Sequence, residues 1–433
     1  MRRMLSGVRM AAPLRIRDFR LLWSGLTVSL VGDGVFYVAL AWQVYELSNA
    51  PTALSVVGVA MTVPQVAFLL LGGVLSDRMD RRRIMLAADV TRGVAVGAIG
   101  LLSLSGHLKL WHVAVLAAVY GAGAAFFGPA FDAIVPDIVP ADLLGEANAL
   151  EQFVRPIALR MGGPALGGAL IAVWGSGGAF LVDAGSFLVS AAFLLAVRGR
   201  GAPARADSEP PPSALREIRE GYTYVRSHVW LWGTFVAASF AYLLFMGPTE
   251  VLLPFVVRND LGGSAGDLGM VFAVGGIGAV AASLVMGQRG QPRRHMTFVY
   301  TTWAVATFAV AGYGLATLPW HLMAACFVFN ALESAGTIVW STTKHRLVPP
   351  ALLGRVSSYD WFVSIGLLPV SFALTGPAAA LLGARGALVA AGVLGGVVTI
   401  GFLFLPGMRA IERDQAPAPA PLDAEAPVAA LIP

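Results

Sequence analysis

Long, unbroken apolar stretches alternate along the chain with short polar segments. An α-helix needs about 20 apolar residues to cross the hydrocarbon core of a bilayer, and most of the stretches reach this length. A transmembrane β-barrel is excluded, because its strands alternate apolar and polar positions. The pattern predicts an all-α polytopic membrane protein with twelve transmembrane helices. These are spans 1 to 12, at about residues 19–47, 52–75, 84–104, 109–131, 153–174, 177–197, 231–257, 264–287, 296–316, 320–342, 356–383 and 386–406.

The spans form two sets of six, separated by a polar linker. The linker begins with a Pro-rich stretch, and residues 215–222 have the pattern of an amphipathic helix that lies at the membrane surface. The end of the chain is rich in Ala and Pro, which is typical of disorder. We therefore expect a cytoplasmic N-terminus over 1–18, an N-terminal half over 19–197, a linker over 198–228, a C-terminal half over 229–406 and a disordered cytoplasmic tail over 407–433.

The two halves carry matching segments in matching places. Residues 139–145, VPADLLG, follow span 4, and the similar residues 348–354, VPPALLG, follow span 10. Gly163-Pro164-Ala165 in span 5 recurs as Gly376-Pro377-Ala378 in span 11. Such a parallel repeat predicts two pseudo-symmetric six-helix halves. It is typical of a transporter that binds its substrate between the halves and rocks one half against the other.

Composition removes several functional classes. Hydrophobic residues make up 57% of the chain and charged residues 13%, whereas soluble domains carry about a quarter charged residues. The mean hydropathy is +0.73. A soluble enzyme and a nucleic-acid-binding protein are excluded, and we expect the bilayer and a small amphipathic substrate as partners. The chain has no P-loop motif for ATP and no pair of His at metal-binding spacing, so we expect no metal and no cofactor, and transport driven by a proton gradient.

Basic residues indicate the orientation in the membrane. Of the 30 lysines and arginines, only Lys109, Arg258 and Arg385 fall in the loops at one end of the predicted bundle. Basic loops stay on the cytoplasmic side, so both termini and the linker are expected there. We expect a multi-pass protein of the cytoplasmic membrane of a bacterium.

The segment between spans 2 and 3, residues 73–83, reads GVLSDRMDRRR. It resembles the loop signature of the major facilitator superfamily, except that Asp80 replaces a Gly. The resemblance implies the major facilitator fold and a cytoplasmic gate. In that gate Asp77 faces the positive N-terminal end of span 11, and Arg81 pairs with an acid at the end of span 4, for which we expect Asp132. Asp360 is assigned to the gate because it is predicted to start span 11, where an acid suits the helix dipole. The predicted gate residues are Gly73, Asp77, Arg78, Arg81, Arg82, Asp132 and Asp360.

Span 5 contains GGPALGG over residues 162–168. This resembles the antiporter motif of the superfamily's exporters, here Gly163, Pro164, Gly167 and Gly168. Small residues let helices approach closely, and Pro bends a helix. With segments of spans 1, 3 and 6, the motif resembles the drug:proton antiporter group that contains macrolide-efflux pumps and the enterobactin exporter.

Acids inside the spans are the candidates for proton coupling, since an ionised acid at the bilayer centre costs about 2.5–3.5 kcal/mol. Asp33 has no Lys or Arg nearby in its own span, and we expect Gly32 and Gly34 to leave room for a ligand or water beside it. An unpaired, desolvated carboxylate readily exchanges a proton. The alternative is a structural acid. Asp89 is expected to pair with Arg92, one turn away.

Three further acids are weighed in the same way. Glu333 lies on a polar stripe with Asn330 that is predicted to line the cavity. Glu250 follows a predicted bend, and its alternatives are to guard the outer mouth, to take a second proton or to be a structural acid. Asp183 is as compatible with a structural role as with a functional one. Aromatic residues complete the pocket. The predicted coupling and substrate residues are Asp33, Tyr37, Glu250, Asn330, Glu333 and Trp340.

We expect a monomeric secondary transporter, not an enzyme, that exports amphipathic drugs or natural products in exchange for protons by alternating access. Three alternatives remain open. The chain exports a siderophore or lysophospholipid, it is a uniporter or sodium-coupled carrier of the same fold, or it is a receptor on this scaffold that transports nothing.

Overall fold

The computed structural model describes residues 11–140, 143–198, 214–289 and 291–413, and in these ranges the chain is helical without a strand. Most spans are single helices that begin and end within a few residues of the predicted positions, except that span 4 extends further. Spans 1 to 4 are Arg17–Leu47, Pro51–Arg78, Arg81–Leu104 and Leu110–Ile138, and spans 7 to 10 are Val229–Phe255, Ala265–Arg289, His295–Leu315 and Pro319–Leu347.

Spans 5 and 6 are joined without a loop, and so are spans 11 and 12. In the described ranges ten helical stretches have the length and composition to cross a membrane, and two of them contain 51 and 48 residues, about twice the length of one span. Each is interrupted by a glycine with positive φ, Gly175 at 69° and Gly383 at 73°, where other residues are strained. The long stretches therefore give two spans each, and the described count is twelve.

The turn at Gly175 is visible in the contacts of span 6. Gly177, just after the turn, lies against Leu104 at the end of span 3. At the opposite ends of these two helices, Arg82 at the start of span 3 donates a hydrogen bond to the carbonyl oxygen of Leu195 at the end of span 6. Span 6 therefore runs antiparallel to span 3. Span 5 consists of Leu144–Pro156, a π-helical turn Ile157–Gly162 and residues 163–174, and span 11 consists of Pro350–Gly366 and residues 368–382.

The two halves are packed alike. In each half the first span packs against the continuous helix of the last two spans, the second against the fourth, and the third against the fourth and sixth. Between the halves, span 2 packs against span 11, and span 8 against span 5. The arrangement is the two-half, twelve-span architecture that the repeat predicted.

The apolar core shows which end of the bundle is closed. We call the end that carries Arg17, Arg81 and Arg289 the basic end, and the opposite end the far end. The largest cluster of buried apolar residues contains members of both halves at the far end, including Tyr45 and Leu252. At the basic end, the described buried residues form separate clusters, one in each half. The halves therefore part at the basic end.

The linker and the start of the tail are attached to the C-terminal half. A helix, Ala214–Ser227, lies in the linker, and its Glu220 forms an ion pair with Arg355 of span 11 at 2.5 Å. The first residues of the tail that was predicted to be disordered from residue 407 are packed against the C-terminal half. Met408 is buried, and Glu412 accepts hydrogen bonds from the backbone and side chain of Thr297. Of that tail, residues 414–433 lie outside the described ranges.

Candidate functional site

The cleft between the halves holds the first part of the candidate site. Tyr37 is 40% exposed although it lies well inside span 1, and Glu250 of span 7 is also exposed. The charge of Glu250 acts on Tyr37 of the opposite half, and the charge of Arg160 acts on Glu250, so each pair lies within electrostatic range across the boundary between the halves. Three ionisable or polar groups from spans 1, 5 and 7 therefore share the cleft.

Contacts between the halves close this cleft at the far end. The Tyr45 hydroxyl group donates a hydrogen bond of 2.6 Å to the carbonyl oxygen of Val251, the residue after Glu250. Asn49 donates a bond of 2.7 Å to Asn259. Near them the guanidinium group of Arg258 lies 5.1 Å from the ring centre of Trp42. At the basic end, by contrast, the described buried apolar residues form one cluster in each half. This separation of the apolar cores indicates that the cleft opens at the basic end.

Arg160 joins the halves inside the cleft. Its Nη1 atom lies 3.2 Å from Asn330 Oδ1 and 3.6 Å from Glu333 Oε2, both in span 10. The Arg160 side chain is half exposed. Glu333 also accepts a hydrogen bond of 3.1 Å from Thr337. The predicted residues Asn330 and Glu333 thus contact the same group, which is the guanidinium of an arginine from the opposite half.

A small pocket lies beside Glu333 within the C-terminal half. Its volume is about 40 Å³, whereas pockets that bind drug-sized ligands measure about 300–1,000 Å³. The pocket in this conformation therefore has room for a few water molecules but not for such a ligand. Its lining is mainly aromatic and small. The lining residues include Tyr242, Phe245, Trp303, Phe329 and Glu333.

The antiporter motif contacts both halves at once. A Cβ atom on Gly163 would lie 2.7 Å from the Cα atom of Gly34, and one on Gly167 would lie 3.1 Å from the Cα atom of Val35, both in span 1. On the other side, a Cβ atom on Gly168 would lie 2.7 Å from the carbonyl oxygen of Ala265 in span 8.

A π-helical turn, Ile157–Gly162, precedes Pro164. Proline has no N–H group, so Pro164 cannot donate the α-helical hydrogen bond to the Arg160 carbonyl group. Beyond it, a Cβ atom on Gly276 of span 8 would lie 2.9 Å from the Arg160 carbonyl oxygen. The close packing of this turn against span 8 therefore brings Arg160 to the boundary between the halves.

Asp33 is not the unpaired acid that its own span predicts. Its Oδ1 atom accepts a hydrogen bond of 2.6 Å from Tyr120 of span 4, and its Oδ2 atom lies 3.6 Å from Arg92 Nη1 of span 3. The predicted pair of Asp89 and Arg92 is confirmed, at 2.6 Å. The expectation failed because Arg92 serves two acids, one in its own span and one in another.

The glycines beside Asp33 do not leave room for a ligand. A Cβ atom on Gly32 would lie 2.2 Å from Asp183 Oδ1, and one on Gly34 would lie 2.8 Å from Gly163. Both positions are close contacts between helices. Asp33 itself is buried, and Tyr37 is the nearby residue of span 1 that is exposed to the cleft.

The predicted gate is partly rearranged. Arg81 pairs with Asp137, not with the expected Asp132, because span 4 continues past Asp132 and presents the later acid at the basic end. Arg82 joins span 3 to the end of span 6. The surroundings of Gly73 and the side chains of Asp77 and Arg78 lie outside what the structure describes, so their predicted roles in the gate stay predictions.

Asp360 and Trp340 form a separate group in the C-terminal half. Asp360 was expected to start span 11, but the helix begins at Pro350, so Asp360 lies well inside it. It pairs with Lys344 at 2.6 Å and accepts a hydrogen bond of 3.2 Å from Trp340. The Trp340 ring is buried among Trp230, Phe235 and Trp303, so it is a core residue and does not line the cleft as predicted.

Comparison with known proteins identifies the family. Residues 8–428 match the model of the family described as transmembrane secretion effector, of the major facilitator superfamily. The chain belongs to this family. It is therefore a major facilitator exporter and a multi-pass bacterial membrane protein, not an enzyme.

Curated relatives of the exporter are efflux proteins. It is 29% identical to the multidrug efflux pump Tap of Mycolicibacterium fortuitum, over 92% of this chain and 97% of that protein. It is 22% identical to macrolide efflux protein A of Streptococcus pyogenes, over 82% and 88% of the two chains. It is 25% identical to the enterobactin exporter EntS of Citrobacter koseri, over 93% and 94%.

Solved structures confirm the fold. A bacterial homologue of the lysosomal transporter Spinster, in an inward-facing and occupied conformation, matches with a TM-score of 0.66 at 16% identity, over 94% of this chain and 99% of that one. A bacterial homologue of the iron transporter ferroportin, in an inward-facing state, matches with a TM-score of 0.64 at 14% identity, over 89% and 98%.

Two site residues of the exporter were not anticipated, Arg160 and Tyr120. Arg160 could have been identified from the sequence, because an arginine inside an apolar span is costly and is kept for a reason. Tyr120 could not, since tyrosines are common in spans and its partner lies 87 residues away.

Proposed function

We propose that this exporter moves amphipathic organic compounds across the membrane in exchange for protons, by alternating access. The observation that carries the proposal is the cleft, which is closed at the far end by Tyr45 and Val251 and lined by ionisable groups of both halves. Substrate enters at the basic end, binds between Tyr37 and Glu250, and leaves when the halves rock. The names of the curated relatives support a drug-like cargo.

Protonation of acids at the cleft is the proposed driving step. Asp33 is linked to the cleft through Tyr120, which stands next to Tyr37. Protonation of Asp33 removes its attraction to Arg92, and protonation of Glu333 removes its attraction to Arg160. No bound cofactor is needed, because the proton-motive force supplies about 2.3 kcal/mol per charge per 100 mV in addition to the pH gradient.

The proposed orientation places the basic end and both termini in the cytoplasm, with the exporter acting as a monomer in the inner membrane. The general rule that loops rich in Lys and Arg stay in the cytoplasm supports this orientation. A second cargo, an anionic catecholate siderophore, is favoured by the half-exposed guanidinium group of Arg160 in the cleft.

The test is proton movement in proteoliposomes. A pH gradient is imposed, and macrolides, tetracyclines, lipophilic cations and a catecholate are added in turn. A transported compound is expected to collapse the gradient through the wild type but not through Asp33→Asn or Glu333→Gln. The matched control is Asp18→Asn, a partly buried acid at the basic end whose described ion pair is with its neighbour Arg17. If labelled compound accumulates while no proton moves, the antiport proposal is wrong.

A further inference from the structure

The N-terminal half contains three acids and one arginine that are shielded from water. Asp33 is 7% exposed, Asp89 and Asp183 are 0% exposed, and Arg92 is 4% exposed. They come from spans 1, 3 and 6. If all four were ionised, the cluster would carry −3 + 1 = −2. Such a buried excess of negative charge is costly, so at least one of the acids holds a proton.

Arg92 forms ion pairs with two of the three acids. It lies 2.6 Å from Asp89 Oδ1 and 3.6 Å from Asp33 Oδ2. The rings of Phe127 and Phe187 lie 4.7 and 4.5 Å from the guanidinium carbon. Aromatic faces also favour the cation. The guanidinium group is thus held between two acids and two rings.

Asp33 and Asp89 also have the donors that an ionised carboxylate needs. The Tyr120 hydroxyl group donates to Asp33 at 2.6 Å, and the Ser190 hydroxyl group donates to Asp89 at 2.7 Å. Hydrogen bonds to a charged acceptor stabilise the charged form. These two carboxylates are therefore equipped to remain ionised in this conformation.

Asp183 has a different environment. Its Oδ1 atom is 3.1 Å from the Ser186 hydroxyl group, and its Oδ2 atom has no hydrogen-bond partner among the described residues. The charges that act on it are those of Asp33 in span 1 and Arg92 in span 3. Its carboxyl group lies against the backbone of Gly32, next to Asp33. An ionised Asp183 would therefore be buried beside another negative charge.

We propose that Asp183 is a positioning residue that holds a proton throughout the transport cycle. Its neutrality sets the cluster charge at −2 + 1 = −1, so that one further proton, taken by Asp33, makes the cluster neutral. Asp33 has a route to the cleft through Tyr120 and Tyr37, whereas Asp183 is closed off. The coupling role of Asp183 rests on the proposed function, but its protonation does not.

Infrared spectroscopy of the purified protein tests the protonation directly. We expect a carbonyl stretching band of a protonated carboxyl group that persists at a pH where exposed acids are ionised. The band should disappear in Asp183→Asn and remain in Asp33→Asn. Absence of the band from the wild type, or its survival in Asp183→Asn, would overturn the proposal. If Asp183→Asn does not fold, Asp33→Asn still tests the proposal, because loss of the band in that variant assigns the proton to Asp33 and overturns the proposal.

Transport by the same variants tests the coupling role. Asp183→Asn replaces a neutral acid with a neutral amide, so the number of protons moved per substrate and the pH profile should match those of the wild type. Asp33→Asn should lose proton coupling. If Asp183→Asn uncouples the protons, Asp183 exchanges its own proton and the inference is wrong. If no compound moves protons through the wild type, the proposed function fails while the infrared result stands.

Discussion

Arg160 of span 5 and Glu333 of span 10 form an ion pair across the two halves, with 3.6 Å between Nη1 and Oε2. The pair lies inside the cleft, away from the contacts that close the far end. A half-exposed pair of this kind contributes only about 0–1 kcal/mol to stability. We therefore expect the pair to matter for transport more than for stability, because the distance between Arg160 and Glu333 must change when the halves rock.

Replacing either partner of this pair should lower export without unfolding the protein. We expect Arg160→Gln and Glu333→Gln each to reduce export, and the charge-exchanged double variant Arg160→Glu/Glu333→Arg to recover part of it. Efflux from proteoliposomes measures this. Arg155→Gln, which breaks a pair with Glu151 inside span 5, is the matched control and should keep wild-type export. Equal losses in the control and in Arg160→Gln would contradict the assignment.

Cross-linking the far end should trap the conformation described here. Asn49 and Asn259 touch at 2.7 Å, and the sole cysteine, Cys326, is buried. In a Cys326→Ala background, a short bifunctional thiol reagent should join Asn49→Cys to Asn259→Cys and stop export. A cleavable reagent should allow reduction to restore export. Each single cysteine variant is the control, and export that continues after complete cross-linking would show that the far end need not open.

Close packing of the antiporter motif should make Gly163 intolerant of any side chain. Gly163→Ala places a methyl group 2.6 Å from the carbonyl oxygen of Val31, whereas Gly185→Ala meets nothing within 4 Å. Overpacking of this kind costs about 1–3 kcal/mol or more. Thermal unfolding in detergent should show a clear loss for Gly163→Ala and little change for Gly185→Ala. Similar melting temperatures for the two would be inconsistent with the contact.

Removing Arg92 should be severely destabilising. Arg92→Met leaves Asp33 and Asp89 without their cation in a buried site, and breaking a buried ion pair costs about 3–5 kcal/mol. Arg92→Met combined with Asp89→Asn should recover part of the loss, because one buried charge is removed. Thermal unfolding measures both. Arg83→Met, at an exposed arginine, is the control and should change stability by about 0.5 kcal/mol or less.

The positions of the spans were predicted well from the sequence, because the length of an apolar stretch is a local property of the chain. The sequence also predicted the pair of Asp89 and Arg92, since residues three apart on a helix are neighbours. The linker helix and the antiporter motif were recognisable for the same reason. The helix boundaries were less accurate where continuous helices run through a predicted end, as at Asp132 and Asp360.

The errors share one physical cause, which is that partners come from other helices. Asp33 looked unpaired because its donor, Tyr120, is 87 residues away. Arg160 and Asn330 are 170 residues apart. Trp340 is an aromatic residue of the kind that lines drug pockets, but neighbouring rings from spans 7 and 9 bury it. A periodicity along one helix contains no information about which helix lies opposite.

The sequence by itself therefore determined the twelve spans, the duplication, the family resemblance and the set of embedded acids, because each depends on residues that are close along the chain. Only the tertiary structure decided which acids are paired, which end of the cleft is closed and where Arg160 enters it. Those features depend on how the helices of the two halves pack against one another. The ionisation state and the role of a buried acid depend on the charges and hydrogen-bond donors that this packing places beside it.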